Sequence, residues 1–184
     1  MDKITTNLVS LFRLANQKFI KQDLSLILTN VNERTLCGSL SQHLNSTIQQ
    51  SVYKNYHVDV EYNRNNGKVK TLLNDKFEVV TINPDIIVHS RGEILKNDNL
   101  IAIEMKKSTS SDVDKHNDKV RLIALTKDSY DGVWSFDGVT LPEHVCGYSL
   151  GIYYEINLSK HSILLEYYVK GKSTHTETLS FASL

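Results

Sequence analysis

The run Leu100-Ile101-Ala102-Ile103-Glu104-Met105-Lys106 constrains the fold more than any other part of the chain. It is apolar on both faces until its end, and a strand of that kind lies centrally in a sheet covered by helices. Asp85-Ile86-Ile87-Val88-His89 reads as the strand before it, and Ser90 to Asn99 as a polar, glycine-containing loop between them. A long hairpin satisfies this order. In an antiparallel pair the start of the first strand lies beside the end of the second. Asp85 and Glu104 are therefore expected as neighbours although nineteen positions separate them. Glu104 and Lys106 are two apart and share a face.

Periodicity supplies the remaining elements. Ile4, Leu8, Leu11, Phe12, Ala15 and Phe19 recur at helical steps. Asp23 to Leu28 either continues that helix or forms a short second one. A further helix begins near Asn32, with Leu36, Leu40, Leu44 and Ile48 on one stripe and Asn30 or Asn32 as the cap. From His57 to Tyr62 the period becomes that of a strand, and Asn65-Asn66-Gly67 is a turn signal. Lys68 to Asn83 is ambiguous. Ser110 to Asp112 can cap a helix to about Lys127, with Val120, Ile123, Ala124 and Leu125 facing inward. A glycine-rich stretch from Asp131 to Gly147 precedes a strand over Tyr148 to Asn157, and Ser162 to Val169 is its antiparallel partner. Gly171 to Leu184 is a polar, threonine-rich tail. The expected fold is α/β, a mixed sheet flanked by helices, built as one domain over residues 1–184. Its core spans about 32–157, with a helical extension over 1–31 and a tail over 171–184.

Composition narrows the class of function. The 184 residues carry 21 basic and 21 acidic side chains, so overall charge does not announce a nucleic-acid partner. A local basic surface beside an acidic pocket is compatible with the same totals. Cys37 and Cys146 are too few for a disulfide scaffold or a cysteine-based zinc site, and they suit a reducing cytoplasm. No apolar run approaches the length of a membrane span. Residues Met1 to Ser10 lack the basic and apolar blocks of a signal peptide. A cytoplasmic protein without a membrane partner is the expectation.

Asp85, Glu104 and Lys106 are the residues that point to chemistry. Two carboxylates meeting beside apolar walls repel each other and shift in pKa, and a divalent cation resolves that conflict. Oxygen ligands from Asp85, Glu104 and a backbone carbonyl such as that of Met105 suit magnesium or manganese. Lys106 would orient or deprotonate an attacking water, or stabilise a pentavalent phosphate. A depressed pKa would open the general-base role to it. The acid-x-lysine spacing alone is weak, because composition predicts about two such triplets by chance. The chain contains one, and it closes an apolar strand just after the only Pro-Asp pair opens the preceding strand.

Asn83-Pro84-Asp85-Ile86-Ile87-Val88-His89 followed by Leu100-Ile101-Ala102-Ile103-Glu104-Met105-Lys106-Lys107 resembles the PD-(D/E)xK nuclease superfamily, to which many restriction endonucleases belong. Asp59-Val60-Glu61-Tyr62-Asn63-Arg64 also resembles the preceding strand of uncharacterised bacterial members. The resemblance covers roughly Asn32 to Asn157. It implies a restriction-endonuclease-like αβββαβ core with an added C-terminal strand. It further implies metal binding by Asp85 and Glu104, Lys106 as the catalytic lysine, and Glu33 as the early helical glutamate. The function implied is a Mg2+- or Mn2+-dependent nuclease hydrolysing phosphodiester bonds, expected in DNA. A homodimer or a partner protein is compatible with it.

Each of these residues also has a simpler reading. For Asp85, Glu104 and Lys106 it is a strand-end salt bridge on a solvated rim, the weaker of the two readings given the strand context. Glu33 is either a ligand or an acid favoured by the helix dipole. Lys115 and Lys119, one turn apart, either meet phosphates or form a charged solvent face diluted by Asp114 and Asp118. The face carrying Asp59 and Glu61 reads as solvated. The seven histidines show no metal-ligand spacing, and the tyrosines of the last strands fit core and edge better than a base-stacking platform. A non-catalytic nucleic-acid-binding or assembly module with the same fold, or a subunit of a defence or repair complex, is the alternative function.

Overall fold

The computed structural model describes residues 2–62, 64–65, 68–69, 71–73, 79–81, 83–128 and 146–181. Helix α1 (Lys3–Gln22) starts where the Asp2 side chain accepts the Thr5 N–H at 2.8 Å. A short α2 (Leu24–Leu28) follows a break at Asp23. Helix α3 (Glu33–Gln49) is capped by Asn32, which accepts from Thr35 N–H at 2.8 Å. Of the two expected caps, Asn32 is the one used. Leu36, Leu40, Leu44 and Ile48 of α3 are all buried, as their spacing predicts. In α1 the buried stripe is Leu8, Phe12, Ala15 and Phe19, whereas Ile4, in the first turn, is exposed.

Strand β1 (His57–Val60) leads into two small antiparallel pairs. These are β2 (Arg64–Asn65) with β3 (Lys68–Val69), and β4 (Thr71–Leu73) with β5 (Val79–Thr81). The ambiguous stretch after Lys68 thus contains a strand pair, while Asn66 and Gly67 of the expected turn lie outside the described residues. Strand β6 (Ile86–His89) and strand β7 (Asn99–Lys107) form the expected long hairpin, with a short 3-10 turn over Leu95–Asn97 in its loop. Helix α4 (Asp112–Leu125) crosses to β8 (Leu150–Asn157), which pairs parallel with β7. Strand β9 (Ser162–Val169) returns antiparallel. The glycine-rich stretch expected before β8 lies for the most part outside the described residues.

The main sheet runs β1-β6-β7-β8-β9-β10, antiparallel throughout except at β7–β8. The chain is therefore mixed α/β, with a six-stranded mixed sheet and, among the described residues, four helices. Residues 171–184, expected as a tail, instead supply β10 (Lys172–Ser180). That strand is almost wholly exposed and shows no apolar alternation. Its place comes from backbone pairing with β9 and from Arg13 of α1, whose guanidinium meets Glu177 at 3.0 Å.

The period of two sorts side chains onto two cores. Ile86, Val88, Ile101, Ile103, Met105, Ile152 and Tyr154 face α1 and α3. Ile87, Ala102 and Tyr153 face Leu122 and Leu125 of α4. The buried residues of α4 are Asp118, Leu122, Ala124 and Leu125; of the expected set Ala124 and Leu125 are buried and Ile123 packs half-buried on the same core, while Val120 gives way to Asp118 and Leu122. Apolar residues crowd the last turns of α4 without a clear period, so the stripe is set by its charged member, which apolar periodicity cannot select.

Two expected outcomes follow from this packing. A Cβ at Gly151 of β8 would lie 2.9 Å from Thr126 Cγ2 and 3.1 Å from Tyr168 Cβ. The Thr126 hydroxyl is fixed by Leu122 O and Gly171 N–H, so that side chain cannot simply turn away. Gly151→Ala should cost about 1–3 kcal/mol in urea denaturation, the usual penalty of overpacking. At the other end of the sheet, Asp59 of β1 accepts from His89 at 2.9 Å and from Arg91 at 2.9 and 2.6 Å. Burial alone would raise the Asp59 pKa, but these bonds outweigh it and hold the carboxyl below its ordinary 3.8. A depressed carboxylate stabilises the fold above its unfolded pKa, and the contribution disappears as pH falls through the folded value. The stability advantage over Asp59→Asn should accordingly be full at neutral pH and shrink as pH drops below 3.8, read from paired denaturation curves.

Candidate functional site

The site is assembled where β6 begins and β7 ends. Ile86 is opposite Ile103, so the register continues to Asp85 opposite Glu104. The expected juxtaposition across nineteen residues is therefore present. Beyond the first residue of β6, the Asp85 carboxylate takes the next ladder position: its Oδ2 accepts the Met105 N–H at 2.7 Å. Met105 turns its own side chain to the opposite core, where Sδ lies 3.7 Å from Cys37 Sγ.

Glu104 and Lys106 both point to the α4 side, as a period of two requires. Glu104 is 1% exposed. Its Oε1 accepts from Arg121 Nε at 3.0 Å, and its Oε2 lies 3.5 Å from the other guanidinium nitrogen. That nitrogen also pairs closely with Asp118 Oδ1, three residues earlier on α4. The other Asp118 oxygen sits 3.0 Å from Lys106 Nζ. It makes no hydrogen bond of good geometry, so the contact with the lysine is one of charge. Lys106 Nζ also approaches Glu33 at 3.7 Å and the Met105 carbonyl at 3.3 Å.

Glu33 stands in the first turn of α3, where the dipole reading places it, and has further partners. Its Oε1 accepts the Lys107 N–H at 2.9 Å and meets the Ser110 hydroxyl at 3.3 Å. It clasps α3 to the end of β7 and borders two clefts. One, of about 460 Å³, is lined by Glu33, Cys37, Val60, Glu61, Asp85 and Lys107 among others. The second, of about 380 Å³, is lined by Glu33, Lys106, Ser110, Asp118 and Arg121 among others.

Burial dominates the electrostatics. It pushes the Glu104 carboxyl up to about 8, against the pull of Arg121 and with the help of the Asp85 and Asp118 charges. Burial also raises Asp85, opposed by the Met105 N–H and by Lys106. For Lys106 burial works downward, yet the Asp118, Asp85 and Glu33 carboxylates outweigh it and the pKa is raised. Lys106 is thereby held as an ammonium, suited to orienting a water or stabilising an anion. Cys37 borders the first cleft, but burial and the nearby carboxylates push its thiol up, so it offers no thiolate.

The donor set tests the implied metal. Asp85, Glu104 and the Met105 carbonyl are all oxygen donors, the chemistry that Mg2+ and Mn2+ take. The charges of Asp118 and Glu33 raise Asp85, and those of Asp85 and Asp118 raise Glu104. A dication placed between Asp85 and Glu104 would relieve that repulsion. The chemistry fits. Among the described residues, however, no three His, Cys, Asp or Glu side chains are grouped to hold a metal ion by themselves.

Other expected residues lie apart. Lys115 donates to Ser108 O at 2.7 Å and lies 3.4 Å from Glu155. Lys119 pairs with Glu166 at 2.6 Å and sits 4.6 Å above the Tyr153 ring. Phosphate contact by either lysine would have to compete with these partners. Asp59 and Glu61 are half-buried and not simply solvated, the first tied to His89 and Arg91 and the second paired closely with Arg34. Tyr148, Tyr153, Tyr154 and Tyr167 are core residues, as their strand positions predict.

Asp118 and Arg121 are the functional candidates that sequence reading missed. Their signal was the i, i+4, i+7 set Asp118, Leu122 and Leu125, which places an acid on the stripe of α4 that faces the sheet. No helix among the described residues is long and apolar enough to cross a membrane. No protein-family model matches this chain, and neither a curated protein nor a solved structure matches it.

Proposed function

We propose that this protein is a Mg2+- or Mn2+-dependent nuclease that hydrolyses phosphodiester bonds, in DNA by preference, on a restriction-endonuclease-like core. One observation carries the reading: Asp85 and Glu104 stand opposite each other at the ends of adjacent strands, with Lys106 on the face of Glu104. With the small pairs β2-β3 and β4-β5 set aside, the order α3, β1, β6, β7, α4 and parallel β8 is compatible with the αβββαβ core that the resemblance implies, and so supports the reading.

Asp85, Glu104 and the Met105 carbonyl would hold the ion. A divalent metal in such a site supplies a bound water of lowered pKa and neutralises charge on the phosphodiester. Lys106 carries its ammonium on the same face, fixed by Asp118 and Glu33, where it orients the water and offsets charge developing on phosphorus-bound oxygens. Glu33 holds the chain after Lys106 in place through the Lys107 N–H.

A second reading, a non-catalytic binding or assembly module, draws on the saturation of the site by internal partners. Arg121 holds Glu104, Met105 N–H holds Asp85, and Asp118 holds Lys106. Calorimetry with Mn2+ separates the two. The nuclease reading expects a binding isotherm that Asp85→Asn abolishes, whereas absence of binding, together with no cleavage of DNA or RNA, would favour the module.

Cleavage itself gives the decisive mutational test. Asp85→Asn keeps an acceptor for the Met105 N–H and should preserve the melting temperature, while lowering Mn2+-dependent cleavage by ~100-fold or more, a typical loss for a catalytic group. Lys106→Met should lower the rate comparably. Undiminished cleavage by both variants would end the mechanism.

A further inference from the structure

Arg121 is the only cation in contact with the Glu104 carboxylate among the described residues, and it belongs to no part of the Pro-Asp and acid-x-lysine pattern. Its Nε lies 3.0 Å from Glu104 Oε1, and Glu104 is 1% exposed. Lys106, by contrast, is turned to Asp118 and Glu33. A hard cation needs the same oxygens at about 2.0–2.1 Å. A guanidinium and a dication on one buried carboxylate repel each other strongly in a medium of low polarity. The two are therefore competitors for Glu104.

Arg121 also has somewhere to go. Asp118 lies one turn earlier on the same helix and is already paired with it, so leaving Glu104 requires only side-chain torsions. The Arg121 side chain is 31% exposed and lines the cleft of about 380 Å³, which gives the head group room to move. Asp118 in turn holds Lys106, which couples the arginine to the lysine through a single carboxylate.

Resting on the nuclease reading above, we propose that Arg121 is a resident counter-cation of the site: it occupies Glu104 until a divalent metal displaces it onto Asp118, and so sets metal affinity. Arg121 is a positioning residue in this scheme. It holds Glu104 in its buried place and opposes loading, and binding of the metal and of Arg121 to Glu104 are negatively coupled.

The test uses the full chain and needs no cleavage assay. Mn2+ binding is measured by calorimetry for wild type and Arg121→Gln, and the Arg121 Nε–Hε NMR signal, assigned by its loss in the variant, is followed as Mg2+ is added to wild type. The expected result is Mn2+ binding at least ~10-fold tighter in Arg121→Gln, a typical coupling between competing ligands. The Nε–Hε signal should also shift or exchange away at Mg2+ saturation. If wild type binds Mn2+ and the variant binds it no more tightly, or if the Nε–Hε signal is unmoved at saturation, the inference fails while the nuclease reading stands. If neither protein binds the metal, both fail. If only Arg121→Gln binds, Arg121 blocks the site outright and the displacement proposed here fails. Should Arg121→Gln not fold, Arg121→Lys, which keeps a cation beside Glu104 and Asp118, supplies the assignment and the wild-type NMR titration decides.

Discussion

Strand β7 is buried on both faces and then, without leaving the core, carries a carboxylate. Everything around the candidate site answers the cost of that placement. An ionised side chain removed from water must be paired and hydrogen-bonded or it gives up its charge. At Glu104 both responses are visible, since Arg121 is drawn against it from α4 and burial still raises its pKa to about 8. Removing one partner of a buried pair generally costs about 3–5 kcal/mol. The position of α4 over the sheet and the charge state of the site are thus one problem.

The crossover helix serves both ends of that problem. A parallel β7–β8 pair needs a long connection, and α4 supplies it while covering the smaller of the two cores. Its apolar residues Leu122 and Leu125 seat on Ile87, Ala102 and Tyr153. One turn earlier the same stripe becomes Asp118, with Arg121 beside it, directly above the two charges at the end of β7. The charged flank of α4 is completed by Lys115 and Lys119, which reach Glu155 and Glu166 on β8 and β9. The basic residues of α4 are mostly consumed in fastening it to the sheet.

Much of the scaffold was legible because it rests on local periodicity. The α3 stripe, the β6–β7 hairpin and the β8–β9 pair follow from spacings of three to four or of two. The meeting of Asp85 and Glu104 was legible too, because an antiparallel hairpin with a buried core has little freedom of register. β10 was not legible, since a solvated edge strand held by backbone bonds carries no apolar alternation. Nor was the full facing stripe of α4, where the deciding residue is charged. The direction of the Lys106 shift was out of reach for a related reason: it depends on Asp118 and Glu33, which come from two helices remote in sequence.

The sequence by itself determined the layered α/β plan, the central strand and the pairing of one acid from each strand of the hairpin. Backbone period and the hydrophobic effect act on neighbours along the chain, and those are written in order. Tertiary structure alone decided which cation meets which carboxylate, that Lys106 stays an ammonium and that Glu104 belongs to Arg121. Charge interactions depend on distance and burial through space, and neither quantity exists until the helices have closed over the sheet.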